Sequence, residues 1–222
     1  MKKLKILIDL DDTLTDMLKE WIACLNEWHG TNVKPEDVTE WSVEKFYPTL
    51  TKEQVHAPLK DPNFWDRVRP KPGAIKAVKW MIDQGHEVYI VTASGLSTLK
   101  EKINKCLFRY FPFITWKNVI VAHKKQMIDG DVIIDDAPHN LVGGNYRKIL
   151  MDAPHNKWFD CDKHNVYRVD DWDRIAFEIS VLAYEDEMQE FIEKTNDLAP
   201  EYLELIVNTV CSEAFVKSYF KE

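Results

Sequence analysis

The stretch Leu4-Lys5-Ile6-Leu7-Ile8-Asp9-Leu10-Asp11-Asp12-Thr13-Leu14-Thr15 decides the fold. Leu4, Ile6, Leu7 and Ile8 make a short apolar run, the pattern of a buried strand. It stops abruptly at Asp9, Asp11 and Asp12. Open α/β sheets gather their ligands at the carboxyl ends of strands, which is where these carboxylates fall. Clustered acids repel one another, and a cation relieves the repulsion. Hard oxygen donors that leave room for water suit Mg²⁺. A turn with solvated acids is the plain alternative, and the rest of the chain argues against it.

Gly130-Asp131-Val132-Ile133-Ile134-Asp135-Asp136 repeats the layout: an apolar run, then paired acids. Two strands of one sheet that both end in carboxylates converge on one cation. Surface solvation does not explain that convergence, because like charges brought together are costly unless paired. Between the two lies Val88-Tyr89-Ile90-Val91-Thr92-Ala93-Ser94, a β-rich run ending in a hydroxyl that can hold a phosphate oxygen. Lys125 follows another apolar run, Asn118–Ala122, and can neutralise both a phosphate and an attacking carboxylate.

Strand-like runs recur at Lys5–Ile8, Glu87–Thr92, Asn118–Ala122, Val132–Asp135 and Lys148–Met151, with helical patterns between several of them. That alternation predicts an α/β fold, a parallel sheet with helices on both faces. Residues 73–84 carry apolar positions at helical spacing, and Gly85 ends the helix. Nearly eighty residues separate the first two strands, far more than one crossover needs, so a small subdomain is inserted there. Residues 16–30 read as a helix, and Thr51 with Gln54 caps a second. The division is therefore 1–15 with 70–185 as core, 16–69 as insertion, and 186–222 as a helical extension broken at Pro200.

The order Asp-x-Asp-x-Thr, strand-end Thr, Lys, Asp-Asp resembles the four motifs of the haloacid dehalogenase superfamily, mostly phosphatases, over roughly residues 4–150. The resemblance implies a Rossmann-like sheet with a helical cap at the insertion. Asp61-Pro62-Asn63-Phe64-Trp65, Pro70-Lys71-Pro72-Gly73-Ala74 and Ile149-Leu150-Met151-Asp152-Ala153-Pro154-His155-Asn156 are similar to the 5′(3′)-deoxyribonucleotidase family. By that resemblance Asp9 is the nucleophile, Asp11 the general acid and base, and Thr92, Ala93, Ser94 and Lys125 hold phosphate. Mg²⁺ is held by Asp9, the Asp11 main-chain carbonyl and Asp136, with Asp135 in support. Met17, Trp41, Ser42 and Val43 are the cap residues that meet a nucleoside. Two departures matter. The family's Thr-Ser-Pro is Thr92-Ala93-Ser94 here, so one phosphate-binding hydroxyl is lost or supplied by Ser94. The family's frequent aromatic eight residues after the nucleophile is Met17, so base and sugar preference do not carry over.

Composition sets the outer limits. The 222 residues carry a net charge of −8, 45% hydrophobic and 30% charged residues, the balance of an ordinary folded chain. The acidic balance argues against long nucleic acid as a partner; a small nucleotide as the substrate is what the resemblance implies. No run approaches the length of a membrane span. Met1-Lys2-Lys3 passes straight into a strand without a signal-peptide pattern. Cys24, Cys106, Cys161 and Cys211 are widely spaced and read as free thiols, which points to the cytoplasm. Cys161 and His164 invite a zinc reading, but no second pair stands at suitable spacing. His123, His139 and His155 fall on loops near the active edge and read as ordinary polar histidines. Homo-oligomerisation stays open. So do a sugar phosphate as substrate and a non-catalytic binding or scaffold role using residues 186–222.

Overall fold

The structure, a computed structural model, describes residues 1–194, 209 and 212–220. Six strands form one parallel sheet: β1 Lys5–Ile8, β2 Glu87–Thr92, β3 Val119–Val121, β4 Val132–Asp135, β5 Arg147–Met151 and β6 Tyr167–Val169. Their order is β3-β2-β1-β4-β5-β6, which puts β1 in the middle between β2 and β4. Strand order reverses at this point, and such a reversal opens a crevice at the carboxyl edge. Register is set by alternation. Ile6, Ile8, Val132 and Ile134 enter the larger core on one face. Leu7, Val91, Ile133 and Leu150 enter a smaller core on the other.

The fold class is as expected, with one strand more than the sequence reading found. Tyr167–Val169 is three residues long at the sheet edge, too short to show a period of two.

Between β1 and β2 the chain makes helix α1 (Met17–His29), 3-10 turns at Pro35–Asp37 and Val43–Phe46, helix α2 (Lys52–Lys60) and helix α3 (Phe64–Arg67). These elements bury a core of their own, including Leu18, Trp21, Ile22, Leu25, Val55, Phe64 and Trp65. The Trp21 indole donates to the Val55 carbonyl at 2.6 Å, so its buried N–H is satisfied. Thr51 and Gln54 form the reciprocal cap of α2, at 2.8 and 3.3 Å. The chain enters and leaves this module through paired segments. The Asp16 amide donates to the Arg69 carbonyl at 2.9 Å, the Lys71 amide to the Leu14 carbonyl at 2.8 Å, and Thr15 bridges Pro70 antiparallel.

Helix α4 (Ala74–Asp83) then covers the larger core, and Gly85 ends it at φ 82°, a conformation costly for any side chain. Helix α5 (Leu96–Lys102) runs into a π-helical turn, Ile103–Phe108. Short helices α6 (Pro138–Leu141) and α7 (Cys161–His164) follow β4 and precede β6. Helix α8 (Trp172–Lys194) packs on α4 over the larger core. Residues 212–219 are helical, and Phe215 and Tyr219 enter the same core beside Trp80. Pro200 and the rest of the predicted extension's middle lie outside the described residues. Among the described residues no helix is long and apolar enough to cross a membrane.

Candidate active site

Parallel pairing of Ile8 with both Ile90 and Ile134 brings three strand ends together. Asp9 therefore emerges beside Thr92 and the Asp135–Asp136 pair. The Asp9 amide is fixed to the Ile134 carbonyl at 2.9 Å. Asp9, Asp135 and Asp136 are all buried, and one carboxylate oxygen from each lies within 4.8 Å of the others. Burial is the main reason that the carboxyls of Asp9 and Asp135 are pushed above the usual range, and their acidic neighbours add to it. An all-oxygen set of three carboxylates with one lysine among them fits a hard divalent cation.

Lys125 sits in a 3-10 turn between β3 and β4 and is fully buried. Its ammonium donates to Asp9 Oδ1 and, at 2.6 Å, to Asp135 Oδ2. Burial alone would lower its pKa, but Asp9 and Asp135 more than offset that and raise it, so it stays charged. Asp135 also accepts from the Ala137 amide at 2.9 Å and from Asn140 at 3.1 Å. Its oxygens are thus spoken for, and it orients Lys125. Asp136 is held from three sides. Thr13 Oγ1 donates to it at 3.2 Å, His155 Nε2 lies 2.9 Å from Oδ2, and Asn156 donates to its carbonyl at 2.8 Å.

Lys102 is a site residue that the sequence reading missed. It closes α5, is entirely buried, and places its ammonium among three oxygens. It pairs with Asp11 Oδ2, donates to Thr92 Oγ1 at 2.6 Å and reaches Ser94 Oγ at 3.3 Å. Ser94 thus joins Thr92 around one cation, while Ala93 is exposed and lines the cavity described below. A signal was present: Lys102 stands four residues before buried Cys106, on the apolar stripe of its helix. A π-helical turn follows directly, a feature frequent at functional sites.

Asp12 has φ 56°, and its side chain accepts from the Leu18 amide at 2.8 Å, capping α1 from the turn after β1. Burial, with Asp136 nearby, pushes its carboxyl up to about 7.

A cavity of about 500 Å³ opens from Asp12, Ala93 and Asp136 into the inserted module. All four predicted cap residues, Met17, Trp41, Ser42 and Val43, line it. Trp41 is 60% exposed and stands edge-on to His139 and His155, at 5.1 and 5.4 Å between ring centres. Two of the three loop histidines therefore need correction. His155 is buried against Asp136, and His139 meets Trp41, because α6 and the Pro154–Asn156 turn bring them to the strand ends. His123 is exposed, as an ordinary loop histidine should be. Cys161 and His164 belong to α7, outside the acidic cluster.

The profile of the family described as "5' nucleotidase, deoxy (Pyrimidine), cytosolic type C protein" matches residues 2–184. A 5'(3')-deoxyribonucleotidase of Bacillus subtilis is 34% identical over 177 residues, 79% of this chain and 97% of the relative. One from Clostridium acetobutylicum is 32% identical over 172 residues, 78% of this chain and 92% of the relative. Among solved structures, a haloacid dehalogenase-like hydrolase from Streptococcus pneumoniae superposes with a TM-score of 0.55 at 15% identity. That superposition covers 78% of this chain and 96% of the other, and shows the shared fold.

Proposed function

The chain belongs to the cytosolic type C deoxy (pyrimidine) 5′ nucleotidase family, phosphoric monoester hydrolases, and from that premise we propose a Mg²⁺-dependent reaction on deoxyribonucleoside monophosphates. The observation that carries this reading is the convergence of Asp9, Asp11, Asp136 and two buried lysines at one sheet edge, beneath a cavity of nucleotide size.

Asp9 attacks phosphorus and becomes an aspartyl-phosphate. A carboxylate is a weak nucleophile, useful when held in line with a phosphoryl group whose charge is already neutralised. Lys125 and Lys102 supply that neutralisation from opposite sides, with Thr92 and Ser94 as hydroxyl partners. Asp11 gives a proton to the leaving alkoxide, then takes one from the attacking water. Lys102 holds Asp11 until the phosphoryl group arrives. Asp9, the Asp11 carbonyl and Asp136 would hold Mg²⁺, which shields the phosphoryl charge when bound. Trp41 meets the nucleoside and closes the site from the cap side, residues 16–69.

The test is phosphate release from ribo- and deoxyribonucleoside 5′- and 3′-monophosphates, with Mg²⁺ and with a chelator, beside Asp9→Asn. Metal-dependent release from deoxynucleotides, absent in the variant, is expected. Release from a generic ester but from no nucleotide would retain the chemistry and reject the substrate.

A further inference from the structure

The segment that carries Lys102 to Thr92 and Asp11 is anchored unequally at its two ends. Ahead of it, Ala93, Gly95, Leu96 and Ser97 are exposed. Behind it, the π-helical turn Ile103–Phe108 is gripped from two sides. Leu107 enters the larger core beneath the sheet, and Cys106 enters the separate core of the inserted module. One short turn therefore belongs to both bodies, and the buried lysine stands directly before it.

Polar contacts fasten the same turn to α3. The Lys105 ammonium donates to Asp66 Oδ2 at 2.7 Å and to the Pro62 carbonyl at 2.8 Å, with Glu101 at 3.4 Å on its own helix. The Cys106 thiol donates to the Trp65 carbonyl at 3.4 Å. Burial pushes that thiol up to about 12, so it keeps its proton and stays a donor. Just beyond the turn, the Tyr110 hydroxyl accepts from Arg69, whose guanidinium also donates to the Asp66 carbonyl. A part-exposed ion pair adds little stability by itself. What Lys105 adds is geometry, because its two acceptors lie on the module and its backbone lies three residues after Lys102.

We infer that Lys105 is a positioning residue for the reaction: by tying the π-helical turn to Asp66 and Pro62 of the inserted module, it fixes where the Lys102 ammonium stands among Asp11, Thr92 and Ser94. The role rests on the nucleotidase reading above, in which Lys102 neutralises the phosphoryl group. Module and phosphate-binding lysine then move as one body. A group misplaced by about 1 Å through a change far from the chemistry can cost about 10²-fold in rate, and a loosened turn costs part of that. Arg109 lies 3.7 Å from the other Asp66 oxygen, so removing the Lys105 charge does not leave Asp66 without a cation.

The experiment measures kcat and KM for a deoxynucleoside monophosphate and for p-nitrophenyl phosphate, with wild type, Lys105→Met, Lys105→Arg, Lys102→Met and the double variant. Lys105→Met is expected to lower kcat about tenfold on both substrates, with a melting temperature that reports a folded chain. Lys105→Arg, which keeps the charge and the donors, is expected to restore most of the rate. In the Lys102→Met background the Lys105 change should cost about twofold or less, because residues that act through one group are not additive. Unchanged kcat in Lys105→Met overturns the inference. So does a full multiplied loss in the double variant, and so does a rise in KM confined to the nucleotide, which would make Lys105 a support for the leaving-group wall alone. If Lys105→Met fails to fold, Asp66→Asn carries the same pattern at smaller scale, and its absence there overturns the inference equally. A wild type that hydrolyses neither substrate rejects the underlying reading instead, and the inference falls with it.

Discussion

At the ends of β1 and β4, Lys125 and Lys102 are shared among Asp9, Asp11 and Asp135 with almost no exposed surface, and every charge leans on an opposite one. In the inserted module, Glu44 and His56 make one part-exposed pair above apolar walls, and Trp41 lies largely in solvent. The first region is anchored in six-stranded backbone pairing. The second is carried on 3-10 turns and short helices. The contrast separates two tasks. Chemistry requires fixed charges in a dry space, where each is strong. Choice of leaving group requires a shaped surface whose residues can change without disturbing the reaction.

Asp9→Asn is the most severe test. On the present reading it lowers kcat by 10⁴-fold or more, as loss of a covalent nucleophile does. The melting temperature should not fall, because burial already penalises the ionised carboxylate at this position. A large loss of stability together with activity would erase the distinction between catalytic and structural charge.

Lys125→Met and Lys102→Met come next, each costing on the order of 10²–10³ in kcat, the scale of one electrostatic donor. Steady-state kinetics on a deoxynucleotide checks this. If Lys102→Met proves silent, the second cation is structural and the first region is smaller than drawn.

Trp41→Ala should raise KM for nucleotides about tenfold and change kcat less, since one base–aromatic contact is worth about 1–3 kcal/mol. An equal fall in kcat would show that Trp41 acts on the chemistry, through His155 and Asp136.

The effect furthest from the site concerns His86, whose Nδ1 accepts from the Leu4 amide at 3.2 Å. Burial pushes its pKa down from 6.5 to about 4. Below pH 6.5 the unfolded chain takes a proton that the native chain refuses, so stability falls as pH drops from about 6.5 to about 4 and is fully present above. The loss amounts to about 3 kcal/mol. Urea unfolding across that window should show the slope, and His86→Gln should flatten it with turnover at neutral pH unaffected.

The sequence made the strand ends readable because each motif is contiguous: an apolar run and, next to it, the acids or hydroxyl it delivers. Lys102 stands among other charged residues, Lys100, Glu101 and Lys105, so its charge alone did not single it out. Which lysine turns inward is decided by packing against the sheet and by the π-helical turn that follows. His155 was hidden because its partner Asp136 is nineteen residues earlier and the turn that joins them depends on Asn156 and Arg168. Asp16, at the N-cap position of α1, makes no cap bond, and Asp12 does that work from four residues upstream. A left-handed backbone at Asp12 makes this reach feasible, and no local pattern announces it.

The paired segments at Leu14–Asp16 and Arg69–Lys71 also bear on how such a protein can be rebuilt. Two main-chain hydrogen bonds, one antiparallel bridge and the ion pair of Lys71 with Asp16 at 2.9 Å fasten the entry strand to the exit strand. Beyond this two-ply stem, the π-helical turn after α5 also grips the module: Lys105 pairs with Asp66 at 2.7 Å and the Cys106 thiol reaches the Trp65 carbonyl. A graft cut outside that stem keeps the module's ends at the right spacing, and it also needs a matching face on the turn that carries Lys105 and Cys106. A graft cut inside the stem leaves two loose threads beside Asp9.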